Sequence, residues 1–240
     1  MVPALLNALL DIFLPPRCHI CRVLIPGSGA LHICDSCYAG LPIISPPLCS
    51  VCGIPLQGAG ENHPCGRCIT TPPPYLAARA ALRHEGACRD LIHAFKYRGK
   101  SHLRRPLGLL TAQLLADFRQ VHQPDLLIPV PLHRSRLRSR GFNQSVLLAE
   151  LLAKQWQIPL QRQLLQRTRA TIPQMELTRA ERLTSLQGAF KVRDSTLISG
   201  RRIMLVDDVF TTGSTLAACA TTLLQAGCEQ VTAVTVAHAP

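Results

Sequence analysis

The chain of 240 residues has room for one ordinary domain and a small module besides. Hydrophobic residues at 47% support a real core, which sets aside a chain too polar to fold, while aromatics at 4% leave few platforms for stacking bases. A formal net charge of +12 selects phosphates, nucleic acid or anionic surfaces as partners, unless the basic surface serves only solubility.

Residues 1–16 carry Leu5, Leu6, Leu9, Leu10 and Phe13 at helical spacing, which predicts a short amphipathic helix packed on the protein. A signal peptide is disfavoured: there is no basic n-region, Asp11 interrupts the run, and no Ala-x-Ala site follows. The stripe is too short to span a bilayer, and nothing else in the chain reads as a transmembrane segment, so a cytoplasmic location is expected.

Residues 17–71 form a Cys-rich module with four C-x-x-C pairs: Cys18/Cys21, Cys34/Cys37, Cys49/Cys52 and Cys65/Cys68. Twelve residues separate the two pairs of each half, and the second half repeats the first at an offset of 31. A C-x-x-C turn points two sulfurs at one place, and two such turns complete a tetrahedral zinc shell. So Pro- and Gly-rich a segment can scarcely fold on hydrophobic burial alone, and metal binding would supply the missing free energy. Four disulfides would need an oxidising compartment, and redox activity a different context. One or two structural zinc ions are expected, with ligation in order or crosswise left open.

Thr71-Pro72-Pro73-Pro74 is a stiff linker, placing a second domain at 76–240. Leu76–Leu82 predicts a strand. A helix follows from Gly86, with Leu91, Ile92 and Phe95 on one face and a basic end, Phe95-Lys96-Tyr97-Arg98-Gly99-Lys100, able to reach a phosphate-rich ligand. Leu103–Phe118 predicts one Leu-striped helix, and Asp125–Pro131 a strand. Between His133 and Gln144 stand Arg134, Arg136, Arg138 and Arg140, read as a basic loop that needs an anion or an acidic neighbour. Gly141 turns the chain into a helix over Ser145–Trp156, which Asn143 can cap. Residues 160–200 read as a polar excursion and candidate lid, with Thr178–Glu181 resembling a capping box.

The most informative stretch is 202–215. Ile203–Val206 is a short apolar run of the kind a buried parallel strand shows; Asp207 and Asp208 follow, then a Thr/Gly/Ser turn and a helix over Leu216–Ala226. A last strand, Val231–Ala237, completes an open α/β pattern with its ligand site at a strand's carboxyl end. Gly213 lets the backbone approach an anion, the helix N-terminus favours a phosphate, and the hydroxyls of Thr211, Thr212, Ser214 and Thr215 add donors. The two aspartates suit a sugar diol or a divalent cation carried by the substrate. Together these features describe a ribose 5-phosphate site; a P-loop is excluded, because no G-x-x-x-x-G-K-[ST] occurs.

Ile203–Thr215 resembles the signature of type I phosphoribosyltransferases. The Leu-rich start, the Cys pairs, Phe95–Gly99, Pro129–His133, Arg140–Gln144, Gln174–Arg182 and that signature together resemble the ComF/ComFC–GntX family, linked to DNA uptake and use of DNA as a nutrient. The resemblance implies a mainly parallel α/β sheet of phosphoribosyltransferase type with helices on both faces, plus a double zinc-ribbon-like module, and binding of phosphoribosyl pyrophosphate with Mg²⁺. It assigns Asp207 and Asp208 to the ribose hydroxyls as the catalytic pair, and Val209, Phe210, Thr211, Thr212, Gly213, Ser214 and Thr215 to the 5-phosphate. Val130, Pro131, His133, Arg138 and Arg140 would face the pyrophosphate, with Arg179 and Arg182 closing over it. Phosphoribosyl transfer to an unread acceptor, ligand sensing without turnover, and handling of single-stranded DNA or of DNA-uptake proteins all stay open.

Overall fold

The computed structural model describes residues 15–25, 31–97, 99–169 and 188–239. The predicted N-terminal helix lies mostly outside them, as do Arg179 and Arg182.

Four strands, β1 (Ala77–Arg83), β2 (Leu126–Pro129), β5 (Arg202–Phe210) and β6 (Gln230–His238), form a parallel sheet in the order β1-β6-β5-β2. All four are rich in small or branched apolar residues, and β2 is buried at every position, as a strand covered on both faces must be. Side chains alternate between two cores. Met204 and Val206 face α3 (Gly86–Tyr97), α4 (Arg104–Leu114) and α7 (Gln144–Trp156), where Phe95, Leu107 and Leu148 are buried. Ile203 and Leu205 face α8 (Ser214–Gln225), through Leu216, Ala220 and Leu223. Phe95 is fully enclosed, and truncating it to alanine is expected to cost about 3–5 kcal/mol.

Several predicted elements take a different form. The Leu-striped segment is two helices, α4 and α5 (Ala116–His122), because Leu115 leaves helical geometry at φ −109°, ψ 19°. The Arg-rich stretch is not a loop but a helix, α6 (Arg134–Arg140). Arginine is a good helix former; His133 caps the start by accepting from the Ser135 N–H, and Gly141 ends it at φ +78°. The polar excursion contributes a two-stranded antiparallel sheet, β3 (Leu165–Arg167) with β4 (Phe190–Val192). Strand β5 runs on through both aspartates, with Asp207 in register with Thr235 and Phe210 with His238.

The Cys-rich module is a structural as well as a sequence repeat. The backbone bond from Cys18 N–H to Val23 O recurs from Cys49 N–H to Ile54 O, and that from His19 N–H to His32 O recurs from Ser50 N–H to His63 O. Short helices α1 (Asp35–Ala39) and α2 (Gly66–Thr70) start after equivalent cysteines. The module is docked on the sheet. Residues 42–44 run antiparallel along β1 through bonds from Ile44 N–H to Ala81 O and from Arg83 N–H to Pro42 O, covering an edge that would otherwise be open. The Arg79 guanidinium donates to the carbonyls of Cys49 and Ser50, and Gly53, at φ +72°, lies so close to β1 that a Cβ there would stand 2.5 Å from Ala78 O.

Candidate functional site

Two Cys₄ clusters stand in the module, one of Cys18, Cys21, Cys34 and Cys37, the other of Cys49, Cys52, Cys65 and Cys68; within each, the sulfurs lie within 4.8 Å of one another. The halves therefore ligate in order, not crosswise. A tetrahedral zinc with Zn–S of about 2.3 Å needs S···S edges of about 3.8 Å. Cys21 and Cys34 sulfurs are 3.7 Å apart, and those of Cys52 and Cys65 3.8 Å, so the donor sets fit zinc. All eleven cysteines are free thiols. Burial opposes ionisation of Cys18 and Cys49, but backbone N–H groups, chiefly those of Cys34 and Cys65, outweigh it and bring each down to about 6. Burial and the neighbouring sulfurs push Cys37, Cys52 and Cys68 the other way, so each half forms one thiolate ahead of the rest.

The second site is a cavity of about 1060 Å³ at the carboxyl end of β5. Asp207, Asp208, Thr211, Gly213 and Thr215 form one wall. Asp207 Oδ1 accepts from the Ser145 hydroxyl at 2.8 Å and from the Asp208 N–H at 2.9 Å. Enclosure, with the Asp208 carboxylate beside it, pushes Asp207 up to about 7. Asp208 is paired with Lys96 Nζ at 2.8 Å, at the end of α3. Gly213 caps α8 at φ +78°, and a Cβ there would meet Phe210 Cζ at 2.7 Å, so only glycine fits. The Thr212 and Ser214 hydroxyls lie 2.9 Å apart and order the turn.

Cations line the opposite side. Arg140 bonds the Tyr97 hydroxyl at 3.0 Å and Gln144 at 3.2 Å, with its guanidinium 4.8 Å above the Tyr97 ring centre. Asn143 caps α7 and ties it to Val130 O. Arg136 stands one helical turn before Arg140 on the same face of α6, and Arg167 enters from β3, held over the Phe190 ring. Burial, with Lys96 nearby, holds the His84 imidazole below its usual pKa and therefore neutral at pH 7.

The structure thus brings Val130, Pro131, Arg140, both aspartates and most of the predicted phosphate loop to one cavity, while His133 and Arg138 lie outside its lining. Arg138 is exposed on the other side of α6. Sequence reasoning missed Arg136, Ser145 and Arg167. The spacing of Arg136 and Arg140 carried a signal once a helix is assumed; Arg167 carried none, because only the pairing of β3 with β4 delivers it.

Residues 9–69 match the double zinc ribbon domain and residues 143–240 the phosphoribosyl transferase domain. DNA utilization protein YhgH of Escherichia coli (strain K12) is 34% identical over 163 residues, covering 67% of this chain and 71% of that protein. The chain belongs to the competence protein F/ComFC/YhgH family. Competence protein F of Haemophilus influenzae is 35% identical over 145 residues, 59% of this chain and 63% of that protein. Competence protein ComFC of Bacillus subtilis is 31% identical over 152 residues, 62% of this chain and 58% of that protein. The expected architecture of the family, a phosphoribosyltransferase-type parallel sheet with a double zinc ribbon, is the one found. No described helix is long and apolar enough to cross a membrane.

Proposed function

We propose that the cavity binds phosphoribosyl pyrophosphate with Mg²⁺, and that the protein acts in DNA uptake or utilisation. The observation that carries this reading is the convergence of two carboxylates and a glycine-capped helix N-terminus on one wall, with Lys96, Arg136, Arg140 and Arg167 lining the rest. Asp207 and Asp208 take the ribose 2′- and 3′-hydroxyls. The Thr211–Thr215 turn and the start of α8 take the 5-phosphate through N–H groups and the helix dipole. Arg140, with the turn at Val130–Pro131, takes the pyrophosphate, and Arg136 joins it. Mg²⁺ carried by the substrate, held by oxygens of Asp207 and Asp208, would offset charge on the departing pyrophosphate. The chain's own part in transfer is positioning and charge neutralisation at C1.

The relatives' names, competence protein and DNA utilization protein, support single-stranded DNA or DNA-uptake proteins as partners, and the net charge of +12 agrees. Strand binding through phosphates would weaken steeply with salt. The test is a pyrophosphate-release assay against bases, nucleosides and DNA, beside a strand titration with and without phosphoribosyl pyrophosphate. Release with one acceptor makes the protein a transferase. Strand binding that depends on the ligand, without release, makes it a sensor. Absence of both release and strand binding would overturn the reading.

A further inference from the structure

The two cysteine clusters are not placed alike. The first half leans on the core of α3, α4 and α7 through Ile20, Leu31, Ile33 and Tyr38, and Cys21 is exposed. In the second half, Cys49, Cys52 and Cys68 belong to the same buried cluster as Tyr75 and as Phe210 and Leu216, the residues that flank the Thr211–Thr215 turn. Arg67, within α2 between Cys65 and Cys68, is half-buried, and its charge is coupled to Cys52 first, then to Tyr75 and Cys68, and to His238. Tyr75 is 4% exposed. A Cβ on Gly213 would stand 3.3 Å from the Tyr75 hydroxyl, and the Phe210 ring stacks on His238 with centroids 4.8 Å apart. The second cluster and Tyr75 therefore share one packed core that reaches Phe210 and Gly213, and the Arg67 charge acts on both the cluster and Tyr75.

We propose that Arg67 and Tyr75 are positioning residues through which the second cysteine cluster sets the conformation of the Thr211–Thr215 turn. A five-residue helix such as α2 does not persist on its own hydrogen bonds. Its anchor is the pair Cys65 and Cys68, and Arg67 is held between them. When thiolates gather round a metal, their negative charge holds the guanidinium, and Arg67 braces Tyr75 and His238 against the turn. The first half has no such device: the residue equivalent to Arg67, at the offset of 31, is the exposed Ser36. The two clusters thus have different work, the first supporting the module and the second shaping the ligand site.

The ligand arm of the test rests on the phosphate reading of the turn; the exchange arm does not. Full-length, zinc-loaded protein is compared with Arg67→Ala, Arg67→Lys, Tyr75→Phe, Cys65→Ser with Cys68→Ser, and Ser36→Ala as control. The readouts are zinc content, amide hydrogen exchange over 210–215, and calorimetric titration with ribose 5-phosphate. Arg67→Ala and Tyr75→Phe should keep their zinc, yet exchange in the turn should quicken about tenfold and affinity should fall about fivefold. Arg67→Lys should recover part of both, and Ser36→Ala should match wild type. The cysteine double variant should lose one zinc and loosen the turn at least as much; if it does not fold, the Arg67 and Tyr75 variants still decide. Wild-type exchange over 210–215 in Arg67→Ala, with zinc retained, overturns the proposal. Failure of wild type to bind ribose 5-phosphate sinks the phosphate reading instead, and exchange still reports on the brace.

Discussion

Lys96 Nζ lies 2.8 Å from Asp208 Oδ1, so the end of α3 neutralises one of the two site carboxylates while Asp207 keeps only neutral donors. Lys96 also lowers the pKa of Asp207, against enclosure and the Asp208 charge. Lys96→Met leaves an uncompensated carboxylate in a largely enclosed site and should cost about 2 kcal/mol in urea unfolding. It should also move the pH midpoint of ligand binding above the value of about 7 set by Asp207 in the wild type. An unchanged midpoint would show that Lys96 does not act on the acidic pair.

Asp207 carries a second consequence for stability. Its folded pKa, about 7, is above the ordinary carboxylate value, so the native state holds a proton that the unfolded chain has lost. Stability therefore falls as pH rises from about 4 to 7 and levels off above that range. Asp207→Asn should raise stability by about 1–2 kcal/mol at pH 8, give no gain near pH 3.5, and abolish ligand binding. Thermal melts across that range measure it; a gain independent of pH would contradict the assignment.

The grouping of sulfurs by half predicts how zinc is lost. Cys34→Ser with Cys37→Ser should lower zinc from about two ions per chain to about one, leaving the second cluster loaded. Loss of both ions on the same substitution would mean that the halves do not bind independently.

The legible parts of this fold are those where one local requirement dictates the residues. Sulfur spacing is fixed by tetrahedral coordination, so the Cys₄ clusters were readable as metal sites; their pairing was not, because it is decided by how the two halves fold. A strand buried on both faces needs a continuous apolar run, so Ile203–Val206 announced itself, and the acids and turn after it announced a ligand site. Side chains that reach the cavity from distant elements were hidden. Arg136 was masked by reading four arginines as a self-repelling loop, although helical geometry spreads them: Arg136 lines the cavity, and the exposed Arg138 does not. Arg167 depends on an antiparallel pairing between segments more than twenty residues apart, too far for a single turn motif to announce it. The docking of the Cys-rich module on β1 rests on backbone bonds of residues 42–44 that carry no side-chain signature.

Placement on α6 separates two arginines that sequence treated alike. Arg140→Gln should weaken phosphoribosyl pyrophosphate binding about tenfold while leaving ribose 5-phosphate nearly unchanged. Arg138→Gln should leave both within about twofold, as expected of an exposed side chain outside the lining. Equal losses from the two substitutions in competitive titrations would show that surface charge, not the cavity, governs affinity.

The most direct measurement is calorimetric titration of the reduced, zinc-loaded protein with phosphoribosyl pyrophosphate and Mg²⁺ at pH 8. The predicted result is saturable binding at one site per chain, lost in the double variant Asp207→Asn with Asp208→Asn while its zinc content and fold are retained. No heat at millimolar ligand, or binding that survives the double variant, would contradict the assignment of this cavity.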